Sequence, residues 1–371
     1  MAWTKPREAL RKLPEVLFQN RLSFTFDGIP LVAEDLSLRK KLNLLKVGLG
    51  LMLRLDRALG LPPMIQVEPS SLCNLKCPLC PIGTGTMKRQ RGQMSFDLFQ
   101  KILDETGEAL VAVFLYSWGE PFLNKDLLRM VEACATRHIC TLTDTNGHSL
   151  QTLDEALRVV DAGLSGVIIA MDGSTQEIYQ TYRKSGDVEK VKRFTALLEE
   201  AKVKRGAPTP YTCLRTVVTR ENEGDVQNME KLARDLGVNM FSYKTVGMQT
   251  RHQAFREYEP TDGRMRRFEY EDSARRARPS IQCPFPFRQP TIFWDGTVVG
   301  CEYDYDLDMP WGRIGEQPFA QIWNSSQAVE LRRSIRKGTR GSFCRRVCPY
   351  QDRVQDSSYL SCKELRPLRG D

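Results

Sequence analysis

Three cysteines in one short stretch provide the clearest chemical signal in this sequence. They lie in Cys73-Asn-Leu-Lys-Cys77-Pro-Leu-Cys80, directly after the apolar run Met64–Glu68. Thiolates at this spacing are soft ligands that suit an iron–sulfur cluster or zinc. A structural zinc site is usually closed by four ligands, whereas this loop offers three and no fourth ligand follows nearby. Three thiolates on a four-iron cluster would leave one iron open to a non-protein ligand.

The C-x-x-x-C-x-x-C pattern resembles the cluster motif of radical S-adenosylmethionine (SAM) enzymes. The resemblance implies that Cys73, Cys77 and Cys80 hold a [4Fe–4S] cluster whose open iron binds SAM. It also implies reductive cleavage of SAM to a 5′-deoxyadenosyl radical, which abstracts hydrogen from an unactivated C–H bond. Zinc binding is the alternative interpretation of these cysteines.

The elements around this loop alternate between β-rich and helical stretches from Met64 to about Lys244. Predicted strands are Met64–Glu68, Leu110–Tyr116, Ile139–Thr143, Gly166–Met171, Thr212–Thr219 and Val238–Tyr243. Predicted helices are Phe96–Glu105, Lys125–Thr136, Leu153–Ala162, Val188–Lys204 and Asp225–Leu236. Such repeats predict an α/β fold with a parallel sheet and ligands at the carboxyl ends of its strands. The cysteine loop follows the first strand, and the resemblance implies a partial (β/α)6 barrel.

Two further motifs follow predicted strands. Gly119-Glu120-Pro121 is similar to the family's Gly-Gly-Glu-Pro, with Trp118 in place of the first glycine. The resemblance implies that Gly119 and Glu120 accept hydrogen bonds from the SAM amine. Asn146 lies in a stretch similar to the family's Thr-Asn-Gly, where it would orient the SAM ribose. An ordinary turn is the alternative at both places.

The fourth and fifth predicted strands add three candidates. The run from Met171 to Arg183 resembles a family stretch in which Asp172 would reach cofactor or substrate. Arg183 would pair with the SAM carboxylate, or it would form a salt bridge that fixes the loop. Cys213 in the fifth strand would donate a hydrogen atom to a substrate radical, as a cysteine does in some related epimerases. A buried structural thiol is the alternative for Cys213.

A second set of cysteines begins at Cys283. The spacing Cys283-x12-Gly296-x4-Cys301, with an Asp-Gly turn that predicts a hairpin, resembles the SPASM domain of radical SAM enzymes. A C-x-x-C pair of the full pattern is missing, and the remaining cysteines suffice for one auxiliary [4Fe–4S] cluster. We assign Cys283, Cys301, Cys344 and Cys348 to it, with Cys362 as the competitor for the fourth place. Structural zinc is again the alternative.

The segment after Cys301 alternates acidic and apolar residues. If this segment is extended, Glu302, Asp304, Asp306 and Asp308 share one face. That face would be an acidic edge, or it would point at the barrel mouth and suit a cationic or polyhydroxylated substrate.

These motifs divide the chain into four predicted parts. Residues 1–60 form a helical extension with one short strand, 61–245 the barrel, 246–280 an arginine-rich linker or lid, and 281–371 the SPASM-like domain. The apolar run Leu42–Leu53 is too short to span a bilayer and predicts a packed helix. The alternative is peripheral membrane contact through residues 36–60.

Composition limits the classes of partner and compartment. The net charge of +8 is too weak to indicate nucleic acid, and no such partner is expected. The first twelve residues lack the apolar core of a signal peptide. Eleven cysteines in such a chain predict a reducing cytoplasm and metal ligation.

The predicted activity is that of a radical SAM oxidoreductase or epimerase. A small-molecule substrate, such as a sugar or aminocyclitol, ranks above a peptide because residues 1–60 do not resemble the winged-helix peptide-recognition domain of many relatives. Maturation of a ribosomally made peptide is the alternative. A non-catalytic metal- or RNA-binding protein is the alternative of another class. A flavodoxin- or ferredoxin-type protein is the expected electron donor.

Overall fold

The computed structural model describes residues 6–247, 255–268, 270–271, 274–275, 283–339, 343–344, 348 and 359–367. Its helices are α1 Pro6–Phe18, α2 Leu38–Met52, α3 Phe96–Thr106, α4 Leu127–Ala135, α5 Leu153–Asp161, α6 Gln176–Tyr182, α7 Val188–Arg205, α8 Val226–Leu236, α9 Phe255–Tyr258, α10 Phe285–Arg288, α11 Phe319–Trp323 and α12 Ser326–Arg336. Its strands are β1 Leu22–Phe26, β2 Ile29–Ala33, β3 Met64–Val67, β4 Ala112–Leu115, β5 Cys140–Thr145, β6 Gly166–Ala170, β7 Tyr211–Val218, β8 Met240–Thr245, β9 Tyr270–Glu271, β10 Ala274–Arg275, β11 Thr291–Ile292, β12 Thr297–Val299, β13 Pro310–Arg313 and β14 Tyr359–Glu364.

A parallel sheet with helical crossovers organises the described residues. Strands β3 to β8 pair in chain order, and each neighbouring pair is parallel. Strand β11 joins parallel to β3 and continues into antiparallel β12 and β13, whereas β14 pairs antiparallel with β8 at the opposite edge. The expected α/β class with a partial (β/α)6 barrel is confirmed. The elements that close both edges come from the C-terminal part of the chain.

Alternation along the strands separates two apolar layers. Residues such as Val113 and Leu214 point outward to the helices. Their neighbours Phe114 and Cys213 belong to a second cluster inside the barrel. Successive side chains of a strand point to opposite faces of the sheet, so each strand supports both layers. Polar residues at the carboxyl ends of the strands lie beyond the inner layer.

The N-terminal extension fills the inside of the barrel with a hairpin. Strands β1 and β2 pair antiparallel through a turn in which Asp27 and Gly28 have φ of 52° and 83°, as a tight hairpin turn requires. The Phe26 ring stacks on Phe114 at 3.7 Å, and Ile29 is buried against the inner layer. Strand β1 is the one short strand expected in residues 1–60, whereas β2 was not predicted. The mostly helical extension is therefore two helices with a hairpin between them.

Helix α2 packs beside this hairpin. Its N-cap Ser37 accepts a hydrogen bond from Lys40 N, and the buried Lys40 Nζ donates to the carbonyl oxygens of Arg137 and His138 at 2.7 and 3.0 Å. Leu44 and Val47 are buried, while a row of apolar residues is exposed: Leu38, Leu42, Leu45, Leu49 and Met52. Among the described residues, no helix is both long and apolar enough to cross a membrane.

The segment after Cys301 is compact and not extended. Glu302 accepts a hydrogen bond from Gln66 Nε2 at 2.7 Å, whereas Asp304 is buried and accepts from the backbone N–H groups of Asp308 and Met309. Asp306 accepts from Lys88 N. The predicted shared acidic face is therefore wrong, because turns direct the carboxylates of Glu302, Asp304 and Asp306 to different partners.

The described part of segment 246–280 packs against the cysteine loop. Phe255 and Phe268 are buried together with Val246 and Leu79, and the two phenyl rings form an edge contact at 5.5 Å. The rest of this segment, including Arg251, lies outside the described residues. Whether residues 246–280 act as a linker or a lid stays a prediction.

Candidate active site

The three cysteines of the loop after β3 lie at the carboxyl end of the sheet. Cys77 is buried, and Cys73 and Cys80 are partly exposed. The loop is held to the segment after α6 because Lys76 N donates to Lys184 O at 3.0 Å. N–H groups are directed at sulfur: Leu75 N lies 3.4 Å from Cys73 Sγ. Such donors stabilise thiolate ligands of iron–sulfur clusters.

The turn after β4 packs directly on this loop. Gly119 has φ +111°, and a Cβ there would lie 2.4 Å from Ser70 O. Only glycine permits this approach. Glu120 N donates to Leu72 O at 2.8 Å, which joins the turn to the residue before Cys73.

The Glu120 carboxylate is almost completely buried and joins two strand ends. It accepts from Thr145 Oγ1 at 2.8 Å, Phe122 N at 3.1 Å and Asn146 N at 2.7 Å. Burial raises the pKa of Glu120 to about 7, against the opposing effect of these donors. A carboxylate has about four acceptor positions, so one remains for a further donor. Its predicted contact with the SAM amine stays a prediction.

Asn146 lies between the cysteine loop and His148. Its Nδ2 donates to Asn74 Oδ1 at 2.7 Å and lies 3.8 Å from Cys73 Sγ. His148 Nε2 accepts from Asp187 N at 2.8 Å, so its proton belongs on Nδ1, 2.8 Å from Asn146 O. Burial lowers the pKa of His148, which favours the neutral form of the imidazole.

Asp172 and Arg183 form a buried ion pair beside Cys77. Arg183 Nε donates to Asp172 Oδ2 at 2.5 Å, and Arg183 Nη1 lies 3.9 Å from Cys77 Sγ. Asp172 also accepts from Val217 N at 2.6 Å. Burial raises the pKa of Cys77 to about 11, and the Arg183 guanidinium opposes this rise. The guanidinium therefore favours the thiolate form that a cluster requires.

Two supporting residues lie outside the motifs identified in the sequence. Glu68 at the end of β3 is fully buried, and both of its oxygens accept from Arg89 Nη2, at 2.6 and 2.7 Å. The Arg89 guanidinium lies 4.2 Å from the centre of the Phe293 ring. His148, to which the sequence analysis gave no role, orients Asn146. The available signal for Glu68 was its charge at the last position of the otherwise mostly apolar predicted strand Met64–Glu68.

The second cysteine group gathers beside the β11–β12 hairpin. Burial raises the pKa of Cys283 to about 12, and the neighbouring Cys348 and Cys344 raise it further. Burial also raises the pKa of Cys301, with contributions from Cys283 and Cys348. Cys348 N donates to Cys344 O at 3.1 Å, which places the two thiols one helical turn apart. Cys283 is thus within electrostatic range of Cys301, Cys344 and Cys348.

Cys362 and Cys213 lie elsewhere. Cys362 is on β14, paired with Ser242 of β8, and a Cβ on Gly28 would lie 2.8 Å from its Sγ. Cys213 is fully buried, 3.2 Å from Ser242 Oγ. Burial raises its pKa. A hydrogen-donor role for Cys213 stays a prediction, and it would require movement of the hairpin that covers this layer.

The donors present fit iron–sulfur clusters. Both groups consist of cysteine thiols, and the first is approached by N–H groups and a guanidinium. Among the described residues, no three His, Cys, Asp or Glu side chains surround a point that could hold a single metal ion.

Family models match both cysteine regions. The model of the radical SAM superfamily matches residues 67–233, and that of the SPASM iron–sulfur cluster-binding domain matches residues 283–349. The chain belongs to the radical SAM superfamily. Membership implies a SAM-binding [4Fe–4S] cluster and SAM, and the SPASM domain implies auxiliary iron–sulfur binding.

Individual relatives are distant. Mycofactocin maturase MftC of Mycobacterium ulcerans is 26% identical over 50% of this radical SAM chain and 48% of its own length. PqqA peptide cyclase of Bradyrhizobium diazoefficiens is 26% identical over 50% of this chain and 47% of its own length. The chain thus spans about half the length of these curated relatives. The structure of Streptococcus suis SuiB bound to precursor peptide SuiA has a TM-score of 0.58 at 15% identity, covering 91% of this chain and 80% of SuiB, which supports the fold.

The predicted preference for a small molecule over a peptide is wrong. The relatives above are a maturase and a peptide cyclase, and SuiB was solved with a precursor peptide. The sequence motifs concern a cluster and SAM and therefore give no information on the class of the substrate. Residues 1–60 do not decide the substrate class, because a peptide-recognition domain can be a separate protein.

Proposed function

We propose that this chain is a radical SAM enzyme that modifies a peptide. The observation that carries the proposal is the position of two cysteine groups around the carboxyl end of one barrel. Cys301 is followed by Glu302, whose carboxylate reaches Gln66 on β3, and Trp118 Nε1 donates to Glu302 O at 2.9 Å. The second group is therefore joined to the strand ends that carry the first.

In this proposal, Cys73, Cys77 and Cys80 hold the [4Fe–4S] cluster that supplies the 5′-deoxyadenosyl radical when SAM is bound. Gly119 keeps the turn after β4 close to the loop, and Glu120 offers its remaining acceptor position to the SAM amine. Asn146, oriented by His148, faces the ribose.

Arg183 pairs with Asp172 and directs its remaining guanidinium edge to the cysteine loop. There it balances the negative charge of thiolates and of the SAM carboxylate. Asp172 keeps the guanidinium in this orientation, because its second oxygen is fixed by Val217 N.

Cys283, Cys301, Cys344 and Cys348 hold one auxiliary [4Fe–4S] cluster in the proposal. A cluster beside the barrel mouth suits one-electron oxidation of a substrate radical, which, with loss of a proton, removes two hydrogen atoms in total. This is the oxidoreductase form of the activity. Thiolate ligands require a reducing compartment, so we place the protein in the cytoplasm.

Peptide candidates encoded beside the gene provide the test. Each is co-expressed with this chain and examined by mass spectrometry, and the anaerobically purified enzyme is treated with dithionite and SAM. We expect about eight irons per chain, formation of 5′-deoxyadenosine, and a peptide that has lost two hydrogen atoms. Cys77→Ala is expected to abolish the last two results.

Three other outcomes contradict parts of the proposal. Zinc without iron, together with intact SAM, would support a non-catalytic metal-binding protein. About four irons per chain together with SAM cleavage would contradict the presence of the auxiliary cluster. SAM cleavage that no peptide stimulates, while a small metabolite does, would refute the peptide substrate.

A further inference from the structure

A second set of polar side chains lies inside the barrel, beyond those given to the clusters and SAM. Strand alternation places Asp144 on the same face as Cys140 and Leu142, which line the inner layer. Lys244 likewise follows Met240 and Ser242 on β8. The other members of this set are Asp27, Gln66, Arg215 and Glu302. Both Asp144 and Lys244 are partly buried.

Most of this set is paired within the protein. Arg215 donates from Nη2 to Asp27 O at 2.6 Å, from Nη1 to Asp27 Oδ2 at 3.2 Å and from Nε to Ser242 Oγ at 3.0 Å. Glu302 accepts from Gln66 Nε2 at 2.7 Å. These contacts satisfy the charge of Arg215 and join the N-terminal hairpin and the C-terminal segment to the barrel interior.

Asp144 and Lys244 differ from the rest. Neither side chain has a hydrogen bond or an ion pair with any residue that the structure describes, and the two do not pair with each other. Burial raises the pKa of Asp144, and the charges of Arg215 and then Lys244 oppose the rise. Burial lowers the pKa of Lys244 and the Arg215 charge lowers it further, whereas the charges of Asp27 and then Asp144 oppose the decrease. Each therefore lies within the electrostatic reach of the other, across an interior bounded by β5 and β8.

Asp144 is a hydrogen-bond acceptor and Lys244 is a donor, and both face the barrel interior without pairing with each other. They therefore suit a ligand group that contains both a donor and an acceptor. Half-buried polar groups without partners are costly unless a ligand or water satisfies them. A carboxylate ligand would be repelled by Asp144 and Glu302, and an ammonium ligand by Lys244 and Arg215. A neutral amide, with one N–H and one C=O, meets both requirements.

We propose that Asp144 and Lys244 bind an amide group of the substrate, with the amide N–H donating to Asp144 and the amide carbonyl accepting from Lys244. The inference rests on the peptide-modifying function proposed above and names the chemistry by which the barrel holds the segment to be modified. Backbone amides and the side chains of Asn and Gln belong to this class.

The test is direct binding of a small amide to the oxidised, cluster-loaded enzyme with SAM. N-acetylglycine N-methylamide is titrated and observed by ligand-detected NMR. We expect saturable binding by the wild type, weakened at least tenfold in Asp144→Leu and in Lys244→Met. Asp144→Glu and Lys244→Arg, which keep the acceptor and the donor, are expected to restore binding to within about threefold.

Matched controls separate recognition from general effects. Asp235→Leu and Lys231→Met change the same residue types on the exposed side of α8 and are expected to bind the probe like the wild type. N-acetylsarcosine dimethylamide, which has no N–H, is expected to bind at least fivefold more weakly than the probe.

Several results overturn the proposal. These are no saturable binding by the wild type, equal binding of the two amides, or wild-type affinity in an iron-replete Asp144→Leu or Lys244→Met variant. Stronger binding of acetate or methylammonium than of the amide also refutes it. Because this titration needs no turnover, its result is independent of whether a peptide is modified. Amide binding without peptide modification would retain this inference and refute the proposed function.

Discussion

The close packing of Gly119 on the cysteine loop can be tested by adding a single methyl group at this position. In Gly119→Ala the new Cβ would lie 2.4 Å from Ser70 O and 2.9 Å from Leu72 O. The turn must move away, which breaks the bond from Glu120 N to Leu72 O. Overpacking costs about 1–3 kcal/mol, the positive φ about 1–2 kcal/mol, and the hydrogen bond about 1 kcal/mol.

Gly206→Ala is the matched control. Gly206 ends α7 at φ +61°, and no atom lies within 4 Å of a Cβ placed there, so only the backbone term of about 1–2 kcal/mol applies. The difference between the two variants therefore reports the packing of the turn on the loop, together with the greater backbone strain of an L residue at φ +111° than at φ +61°. It is expected to be about 2–4 kcal/mol.

The assay is thermal unfolding under anaerobic conditions, together with iron quantification. We expect Gly119→Ala to unfold at least 4 °C below Gly206→Ala, at roughly 2 °C per kcal/mol for a chain of this size. We also expect it to retain about four irons fewer per chain, because the displaced turn disturbs the residues before Cys73. Equal melting temperatures and equal iron in the two variants would refute this account of the contact.

Three further predictions concern the second cysteine group, the segment after it and the hairpin. Cys301→Ala is expected to remove about four irons per chain, whereas Cys362→Ser is expected to leave iron content unchanged; equal losses would contradict the separation of these thiols. Burial raises the pKa of Asp304 to about 7 from 3.8, so between these values the folded state binds a proton that the unfolded state does not. Stability therefore falls as pH rises through this window, by at most about 1.4 kcal/mol per pH unit. Urea unfolding at pH 5 and 7 should show a smaller fall for Asp304→Asn, and parallel profiles would contradict the assignment. Ile29→Ala, at a fully buried site of β2, is expected to cost about 2–5 kcal/mol in urea unfolding. Val32→Ala on the partly exposed side of the same strand should cost less than about 1 kcal/mol; similar losses would argue against a buried hairpin.

The hairpin shows how much of the extension could be predicted. The sequence Leu22–Phe26, Asp27-Gly28, Ile29–Ala33 contains two β-rich runs around an Asp-Gly turn, which is a strong hairpin signal. That signal was available and was missed. The packing of the hairpin inside the barrel could not be predicted from the sequence, because the inside of a barrel exists only after six strands have paired.

The cysteines of the C-terminal part also show which features were predictable from the sequence and which were not. Spacing predicted a hairpin between Cys283 and Cys301 and left the fourth partner open. The structure brings Cys344 and Cys348 within electrostatic range of Cys283 and leaves Cys362 beside β8. Sequence separation does not decide this, since Cys362 is only fourteen positions beyond Cys348. The antiparallel pairing of β14 with β8 decides it.

The sequence alone determined the repeating strands and helices, the cysteine loop after the first strand, and the chemistry of its ligands. These features depend on periodicity and on spacing within about fifteen residues, which local backbone geometry controls. Only the tertiary structure decided which strands meet at the two sheet edges, and that Asp27, Asp144, Lys244 and Glu302 share one interior. These residues are distant along the chain, and their proximity follows from sheet closure and burial, which no local pattern encodes.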